Sequence, residues 1–168
     1  MSIKKKPEYF ILDVDGVITN GQMIYDKFGK KYKTFGPDDY DSLRIIKNYI
    51  KVYFVSGDKI GFSISKKRIE DMGFKIKYLP VDIREDWLNK TFGLKNCIYM
   101  GDGIFDHLIM RQSFYSIAPN GCLDHVRRTA NYVTKKKPAQ RAVAEAVIHL
   151  LKVIYKIDFL KIKKFKLD

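Results

Sequence analysis

Short apolar runs alternate with amphipathic segments along most of this chain. The runs are rich in β-branched and aromatic residues, and the segments between them repeat apolar residues at helical spacing. Leu43, Ile46 and Ile50 show this spacing in one segment, and Gly73 ends the next. Such alternation is typical of βαβ units, so it predicts an α/β fold with a doubly wound, Rossmann-like parallel sheet.

The pattern gives bounds for each predicted element. The predicted strands are Tyr9–Val14, Val52–Val55, Ile76–Leu79, Cys97–Met100, Tyr115–Ile117 and Tyr132–Thr134. The predicted helices are Asp39–Tyr49, Phe62–Met72, Arg84–Phe92, Asp106–Arg111, Leu123–Thr129 and Arg141–Tyr155.

One segment departs from this alternation. Met23–Asp26 and Lys31–Phe35 flank Lys27–Lys30, which contains Gly29. Two short strands around a glycine-containing turn predict a β-hairpin. We expect the hairpin to project over the end of the sheet where the first strand finishes.

Length and composition restrict the class of protein. A chain of 168 residues with 46% hydrophobic residues is long enough for one domain with a substantial core, so we predict a single domain over residues 1–168. The most apolar helical segment, Ala142–Tyr155, contains Glu145, His149 and Lys152, and we expect it not to span a membrane. The residues up to Pro7 lack the apolar stretch of a signal peptide, so we expect a cytoplasmic protein.

The chain is strongly basic. Its 32 Lys and Arg residues against 19 Asp and Glu residues give a formal net charge of +13. Because the lysines are spread along the chain, a solvated surface is the first interpretation and attraction of a small anionic substrate the second. Binding of nucleic acid ranks third, since no nucleic-acid-binding motif accompanies the charge.

The carboxyl-terminal tail, residues 156–168, alternates lysines with apolar residues. A surface-packed terminus is one interpretation. The other is a segment that docks on a neighbouring subunit, which we favour over contact with a membrane.

Two carboxylates follow the first predicted strand. Asp13 and Asp15 come at its end and precede a turn at Gly16. Ligands bind at the carboxyl ends of strands in open α/β sheets. Two neighbouring acids there repel each other unless a cation or a shared proton compensates, so a metal site or an acid/base pair is expected.

Three other strands are also followed by polar residues. Ser56 and Gly57 follow the second strand of the sheet, Arg84 comes shortly after the third, and Asp102 and Asp106 follow the fourth. A hydroxyl and a flexible backbone amide suit a phosphate oxygen. Acids converging on one point would bind a hard cation such as Mg²⁺, which prefers carboxylates, water and substrate phosphate.

These residues resemble the four motifs of the haloacid dehalogenase (HAD) superfamily of phosphatases. The first is Asp13–Thr19, the second Ser56, the third Arg84, and the fourth runs from Gly101 to Asp106. Within the superfamily the chain looks most like the capless phosphatases of 2-keto-3-deoxy sugar acids. These act on 3-deoxy-manno-octulosonate 8-phosphate or on sialic-type nonulosonate 9-phosphates, in lipopolysaccharide or sialic acid biosynthesis. Only the hairpin and one helix fit between the first and second motifs, so no cap domain is expected.

The resemblance implies roles for individual residues. Asp13 would form an aspartyl-phosphate, and Asp15 would act as general acid and then as general base. Ser56, Gly57 and Arg84 would bind the phosphoryl oxygens. Mg²⁺ would be bound by the Asp13 carboxylate, the Asp15 backbone carbonyl and Asp102, with Asp106 orienting those ligands. The resemblance also implies a homo-tetramer, and the candidates for the substrate pocket are Asn20, Asp39, Asp58, Lys59 and Arg141.

The chain differs from this family at three places. Arg84 stands where the family has lysine, and Asp58 stands where the octulosonate enzymes have arginine, which favours a nine-carbon substrate. Pro138–Arg141 replaces a glycine-rich stretch before the last helix. These differences motivate an alternative, a catalytically weakened HAD-fold assembly domain like those that follow sialic acid cytidylyltransferases.

Simpler interpretations exist for single residues. Asp13 and Asp15 could be a solvated strand end, Ser56 a turn or helix-capping serine, and Arg84 a solvated helix start. The order of the four motifs along the chain favours the functional interpretation.

Overall fold

A six-stranded parallel sheet forms the centre of the molecule. The computed structural model describes residues 6–162. In it the strands of this sheet are β1 (Tyr9–Asp13), β4 (Lys51–Ser56), β5 (Lys75–Tyr78), β6 (Cys97–Met100), β7 (Tyr115–Ala118) and β8 (Tyr132–Val133). They are ordered β5-β4-β1-β6-β7-β8, and every pairing is parallel. The predicted doubly wound α/β class is confirmed.

Helices cover both faces of the sheet. They are α1 (Asp39–Ile46), α2 (Phe62–Asp71), α3 (Val81–Phe92), α4 (Asp106–Gln112), α5 (Asp124–Thr129) and α6 (Ala142–Val153), with short 3₁₀ turns at Leu94–Asn96 and Phe159–Lys161. One core contains apolar residues of α1, α2 and α6, and the other contains residues of α3, α4 and α5. Side chains of β1 alternate between the two, with Phe10 and Leu12 in the first core and Ile11 in the second, as a strand buried on both faces requires.

The strand order places a switch point at β1. From β1 the chain continues to β4 and β5 on one side, and then crosses to β6 on the other side. Connections that leave in opposite directions open a crevice at the carboxyl ends of the central strands. This crevice is therefore formed by the residues after β1, β4 and β6.

The hairpin has different bounds from those predicted. It consists of β2 (Ile24–Asp26) and β3 (Gly29–Tyr32), so the turn is only Lys27–Phe28, and the predicted second strand at Lys31–Phe35 is shifted. The Asp26 side chain accepts a hydrogen bond from the Phe28 backbone at 2.8 Å, which closes the turn early. Gly29, with φ 121°, is the first residue of β3 and takes a conformation that favours glycine.

No separate cap domain lies between β1 and β4 in the described part of the chain, because residues 14–50 contain only the hairpin and α1. Within residues 6–162, no helix has both the length and the apolar character needed to cross a bilayer. The part of the predicted docking tail from residue 163 onward lies outside the described residues.

Candidate active site

Asp13 is the last residue of β1 and lies within the crevice. The strand is central and buried, and the Asp13 side chain is only 9% exposed. Burial of a carboxylate is costly unless it is paired. Its partner is Arg84, whose Nη1 donates a hydrogen bond to Asp13 Oδ1 at 3.0 Å.

A tight turn after β1 brings the first acidic motif against the fourth. Gly16 has φ 82°, and a Cβ at this position would collide with the Asp102 carboxylate. The Thr19 hydroxyl oxygen accepts hydrogen bonds from the backbones of Gly16 and Gly21 at 3.3 and 3.2 Å, which holds the turn closed. Glycine is therefore needed at position 16 both for the backbone conformation and for the close approach of Asp102.

Asp102 and Asp106 follow β6. Asp106 is buried at the start of α4, where it accepts hydrogen bonds from the Tyr99 hydroxyl and the Gly103 backbone, both at 2.8 Å. Asp102 differs, because its Oδ1 is buried and has no hydrogen-bond partner among residues 6–162. A buried carboxylate oxygen without a donor suits a cation ligand.

Three carboxylates could share one metal ion. Ligand oxygens of Asp13, Asp102 and Asp106 lie within 4.8 Å of one another. The donor set is all oxygen, and Mg²⁺ and similar hard cations prefer such ligands. Together with the unpartnered Asp102 oxygen, this set fits a divalent cation.

The membership of this cluster differs from the predicted ligand set. Asp106, which was predicted to orient the ligands, lies close enough to add an oxygen to the cluster. Both of its carboxylate oxygens also accept hydrogen bonds, from Tyr99 and Gly103, and its orienting role stays a prediction. The Asp15 side chain is absent from the cluster because it points to Lys33 and Ser56. A role for the Asp15 backbone carbonyl stays a prediction.

Burial acts on all three acids, and repulsion from the other acids adds to it at Asp13 and Asp102. Burial raises the pKa of Asp13 and of Asp106, and Arg84 opposes the rise at both residues. Burial, followed by repulsion from Asp106, raises the pKa of Asp102 to about 7. The acids therefore lie close together at an electrostatic cost that a bound cation would offset.

Arg84 lies inside the site and not at a solvated helix start. The predicted helix began at Arg84, but α3 begins three residues earlier, at Val81, so Arg84 lies within its first turn, and it is only 6% exposed. Its Nη1 lies 3.6 Å from Asp106 Oδ1 as well as 3.0 Å from Asp13. Gly57 makes room for it, because a Cβ there would lie 2.8 Å from Arg84 Nη2.

The second motif contacts the predicted general acid. Ser56 ends β4, is fully buried, and donates a hydrogen bond from its hydroxyl to Asp15 Oδ2 at 3.1 Å. Its oxygen in turn accepts from the Asp58 backbone at 3.2 Å. Ser56 is thus held in the crevice next to Asp15, while Gly57 beside it is exposed.

The candidates for the substrate pocket do not form one group. Asn20 is partly exposed and hydrogen-bonds Gln22, and Lys59 is exposed. Asp58 is bonded to Lys30 and Lys33 and has no carboxylate oxygen free of contacts, since Oδ1 accepts from the Gly61 backbone.

Asp39 and Arg141 lie at a different place, where α1 meets α6. Asp39 is 1% exposed and accepts a hydrogen bond from the Ala144 backbone at 3.0 Å. Arg141 is paired with Asp38 and lines a groove of about 460 Å³ between α1, α6 and Phe159. Asp39 therefore holds the start of α6 in this structure, and its predicted place in the substrate pocket stays a prediction.

Sequence reasoning missed two site residues. Lys33 of the hairpin region contacts Asp15, and Tyr99 of β6 binds Asp106. A tyrosine inside the otherwise apolar run of β6 is a signal that could have identified Tyr99, since a buried hydroxyl needs a partner. Nothing in the local sequence distinguishes Lys33 from the neighbouring lysines.

Comparison with known proteins finds relatives that cover most of the chain. No family model matches the chain. The 3-deoxy-D-manno-octulosonate 8-phosphate phosphatase KdsC of Escherichia coli K12 is 27% identical over 154 residues, which cover 88% of this chain and 81% of that protein. The Haemophilus influenzae phosphatase of the same name is 36% identical over 73 residues, which cover 43% of this chain and only 39% of that protein.

Solved structures match over nearly the whole chain. The Moraxella catarrhalis 3-deoxy-D-manno-octulosonate 8-phosphate phosphatase, in complex with magnesium ion, phosphate ion and a KDO molecule, is 27% identical. It superposes with a TM-score of 0.76 over 87% of this chain and 86% of its own. The cobalt-bound H. influenzae deoxy-D-mannose-octulosonate 8-phosphate phosphatase gives a TM-score of 0.79 at 25% identity, over 90% and 91% of the two chains.

The fold, the strand-end acids and these matches agree with the resemblance to the haloacid dehalogenase superfamily. The structure of a Legionella pneumophila protein described as a putative HAD superfamily hydrolase is also similar, with a TM-score of 0.79 at 26% identity over 90% of this chain and 86% of its own. Because the matching proteins are named as phosphatases, the enzyme class is phosphoric monoester hydrolase. More particularly, the chain is similar in sequence and in structure to phosphatases named for 3-deoxy-D-manno-octulosonate 8-phosphate.

Proposed function

We propose that this protein is a Mg²⁺-dependent phosphatase that hydrolyses the phosphomonoester of a 2-keto-3-deoxy sugar acid. The first candidate substrate is 3-deoxy-D-manno-octulosonate 8-phosphate. The observation that carries the proposal is the meeting of Asp13, Asp102 and Asp106 with Arg84 at the switch point of the sheet. The magnesium, phosphate and KDO bound by the Moraxella protein support the choice of metal and substrate.

Asp13 would be the nucleophile. Its carboxylate would attack phosphorus to form an aspartyl-phosphate, which splits a difficult hydrolysis into two steps. Attack by an anion on an anionic phosphate requires positive charge nearby. Arg84 provides this charge, since its Nη1 lies 3.0 Å from Asp13 Oδ1. Arginine can also grip two phosphate oxygens at once.

Asp13, Asp102 and Asp106 would hold the metal ion. When bound, Mg²⁺ would neutralise charge on the transferring phosphoryl group and on the acids around it. The buried Asp102 oxygen without a hydrogen-bond partner is the ligand atom that depends most on such an ion.

Asp15 would transfer protons in both steps. It would protonate the departing sugar oxygen, and the resulting carboxylate would then take a proton from the water that hydrolyses the aspartyl-phosphate. Ser56 lies beside Asp15, so its hydroxyl and the exposed Gly57 backbone amide are placed to bind phosphoryl oxygens.

Phosphate release from a panel of esters tests this proposal. The panel contains 3-deoxy-D-manno-octulosonate 8-phosphate, a sialic-type nonulosonate 9-phosphate and p-nitrophenyl phosphate, each with Mg²⁺ or with EDTA. We expect hydrolysis of a sugar acid phosphate with Mg²⁺, and its loss with EDTA. Asp13→Asn should lower kcat by about a thousandfold or more because it removes the nucleophile.

Asp26→Asn is the matched control, since Asp26 is the exposed last residue of β2 and its substitution should leave kcat unchanged. An Asp13→Asn variant as active as the parent would end the proposal. The rates of phosphate release from the two sugar acid phosphates in the same panel show whether the eight- or the nine-carbon substrate is preferred. Asp58, which motivated the nine-carbon candidate, is held by two lysines in this structure.

The alternative, a catalytically weakened assembly domain, predicts no turnover of any ester in the panel. The intact acid cluster with its buried arginine favours an enzyme. The homo-tetramer, the docking tail and the cytoplasmic location stay predictions. Light scattering of the purified protein tests the tetramer directly.

A further inference from the structure

A group of four alternating charges connects the hairpin region to the site. Its members are Lys30, Lys33, Asp15 and Asp58, which we call the hairpin charge cluster. Lys33 Nζ lies 2.7 and 2.9 Å from the two carboxylate oxygens of Asp15 and 2.8 Å from Asp58 Oδ2. Lys30 pairs with Asp58 from the other side.

Both lysines are buried to an unusual degree. Their side chains are only 1% exposed, whereas Lys31 between them is 41% exposed. Burying an ammonium group is costly unless it is paired with carboxylates and its N–H groups are hydrogen-bonded. The cluster meets this condition with two positive and two negative charges.

Lys33 has no donor left for a substrate. An ammonium group has three N–H bonds. Three partners accept them, namely Asp15, Asp58 and the Ser65 hydroxyl oxygen at 2.7 Å. Lys33 therefore acts on other side chains of the protein and not on the ligand.

The cluster also fixes the position of Asp58. Burial alone raises the pKa of Asp58, but the hydrogen bonds from Lys30 and Lys33 outweigh it and lower the pKa to about 2. Asp58 is thus charged at neutral pH and anchors Lys33 from the side opposite Asp15. A Cβ at Gly61 would lie 2.8 Å from Lys33 Cε, so the backbone there packs directly against the lysine.

We infer that Lys33 is a positioning residue, which holds the Asp15 carboxyl group in the orientation needed for proton transfer to the leaving group. This inference rests on the proposed phosphatase function. In the step concerned, the bond from Asp13 to phosphorus forms as the bond from phosphorus to the sugar oxygen breaks. Asp15, protonated in the complex with substrate, gives its proton to that oxygen, and the sugar leaves as a neutral alcohol. The carboxylate that results regains its ion pair with the Lys33 ammonium group.

The dependence of the rate on the leaving group distinguishes positioning of Asp15 from a general structural role. A sugar alkoxide is a poor leaving group that needs a proton, whereas p-nitrophenolate departs without one. The test is therefore single-turnover release of the sugar from 3-deoxy-D-manno-octulosonate 8-phosphate and of p-nitrophenolate from p-nitrophenyl phosphate.

Lys33→Met should slow release of the sugar about 10- to 100-fold and change release of p-nitrophenolate less than about threefold. Lys31→Met is the matched control, because Lys31 is an exposed lysine of the same hairpin, and it should change neither rate. Equal slowing of both esters, or no slowing, would contradict positioning. A rise in KM for the sugar phosphate without a change in release rate would instead make Lys33 a substrate ligand and also overturn the inference.

A second variant covers the case in which Lys33→Met does not fold. Lys33→Arg keeps the buried positive charge, but its planar head cannot reproduce the three contacts, so the same selective loss is expected to a smaller extent. If the parent protein releases alcohol from neither ester, the proposed function fails and the role of Lys33 fails with it. If the parent is active and both Lys33 variants slow the two esters equally, only the inference about Lys33 fails.

Discussion

The burial and the charge of the Arg84 side chain depend on the residues around it. The sequence indicated only a cation near the third strand, with a solvated helix start as the alternative. The structure buries the guanidinium between Asp13 and Asp106, in space that the absent side chain of Gly57 leaves open. Burial alone lowers the pKa of Arg84, but Asp13, Tyr99 and Asp106 together outweigh it, so the pKa is raised and the group stays charged.

Replacing Arg84 tests this arrangement. Arg84→Met should lower kcat about 100- to 1000-fold, because the variant leaves the phosphoryl group and Asp13 without a cationic side chain. Arg84→Lys should retain more activity, since it keeps the charge at the position where related phosphatases carry lysine. Steady-state phosphate release measures both variants.

Arg111→Met is the matched control, because Arg111 is an exposed arginine on α4. It should leave kcat within about twofold of the parent, in line with a surface substitution. An Arg84→Met variant with parental kcat would show that Arg84 only supports the fold.

At the scale of elements, the contact between α1 and α6 replaces a feature of the family. Where the resembling family carries a glycine-rich stretch before its last helix, this chain has Pro138–Arg141. Ala139 and Arg141 nevertheless take left-handed conformations with φ 55° and 73°. The backbone path that glycine favours is thus retained, and the ion pair with Asp38 and the close approach of Gly36 to Ala139 accompany it.

Asp39 makes the stability of this contact depend on pH. Burial raises its pKa to about 6, and hydrogen bonds from the Ala144 and Val143 backbones only partly oppose the rise. The folded protein therefore binds the proton of the Asp39 carboxyl group more tightly than the unfolded chain does. The stability that this proton contributes is fully present below about pH 4 and is lost as the pH rises through about 6.

Denaturant unfolding of Asp39→Asn and the parent between pH 4 and 7 measures this effect. The unfolding free energy of the parent should fall relative to the variant by up to about 3 kcal/mol over that range. Asp41→Asn on the exposed side of α1 should follow the parent at every pH. Parallel curves for the parent and Asp39→Asn would contradict the assignment.

At the scale of the whole molecule, the net charge of +13 acts on any anionic substrate. The cation needed at the phosphate is local and buried, so the general surface charge should influence encounter more than chemistry. The chemistry in the crevice therefore depends on individual side chains. The positive charge of the surrounding surface attracts an anionic substrate over a longer range.

Salt dependence separates these two contributions. Raising KCl from about 20 to 200 mM should lower kcat/KM for a sugar acid phosphate several-fold, because the Debye length shortens, and should leave kcat nearly unchanged. Sucrose at matched osmolarity is the control for effects of solutes in general. A kcat/KM that does not change with KCl would show that surface charge has no part in substrate capture.

The sequence by itself determined the order of the elements and most of the acids of the site. Apolar runs and helical spacing depend on local side-chain chemistry, so the six strands of the sheet and the six helices could be read directly, with shifts of a few residues at their ends. Asp13, Asp15, Asp102 and Asp106 could be located because they follow strands that share one sheet edge.

Only the tertiary structure decided which of these groups touch. Lys33 is one lysine among many in the sequence, and only the placement of the hairpin beside β4 and α2 brings it to Asp15, Asp58 and Ser65. The contact of Asp39 with the Ala144 backbone likewise depends on the packing of α6 against α1. Contacts between residues far apart in the chain depend on how whole elements pack, and no local pattern records that geometry.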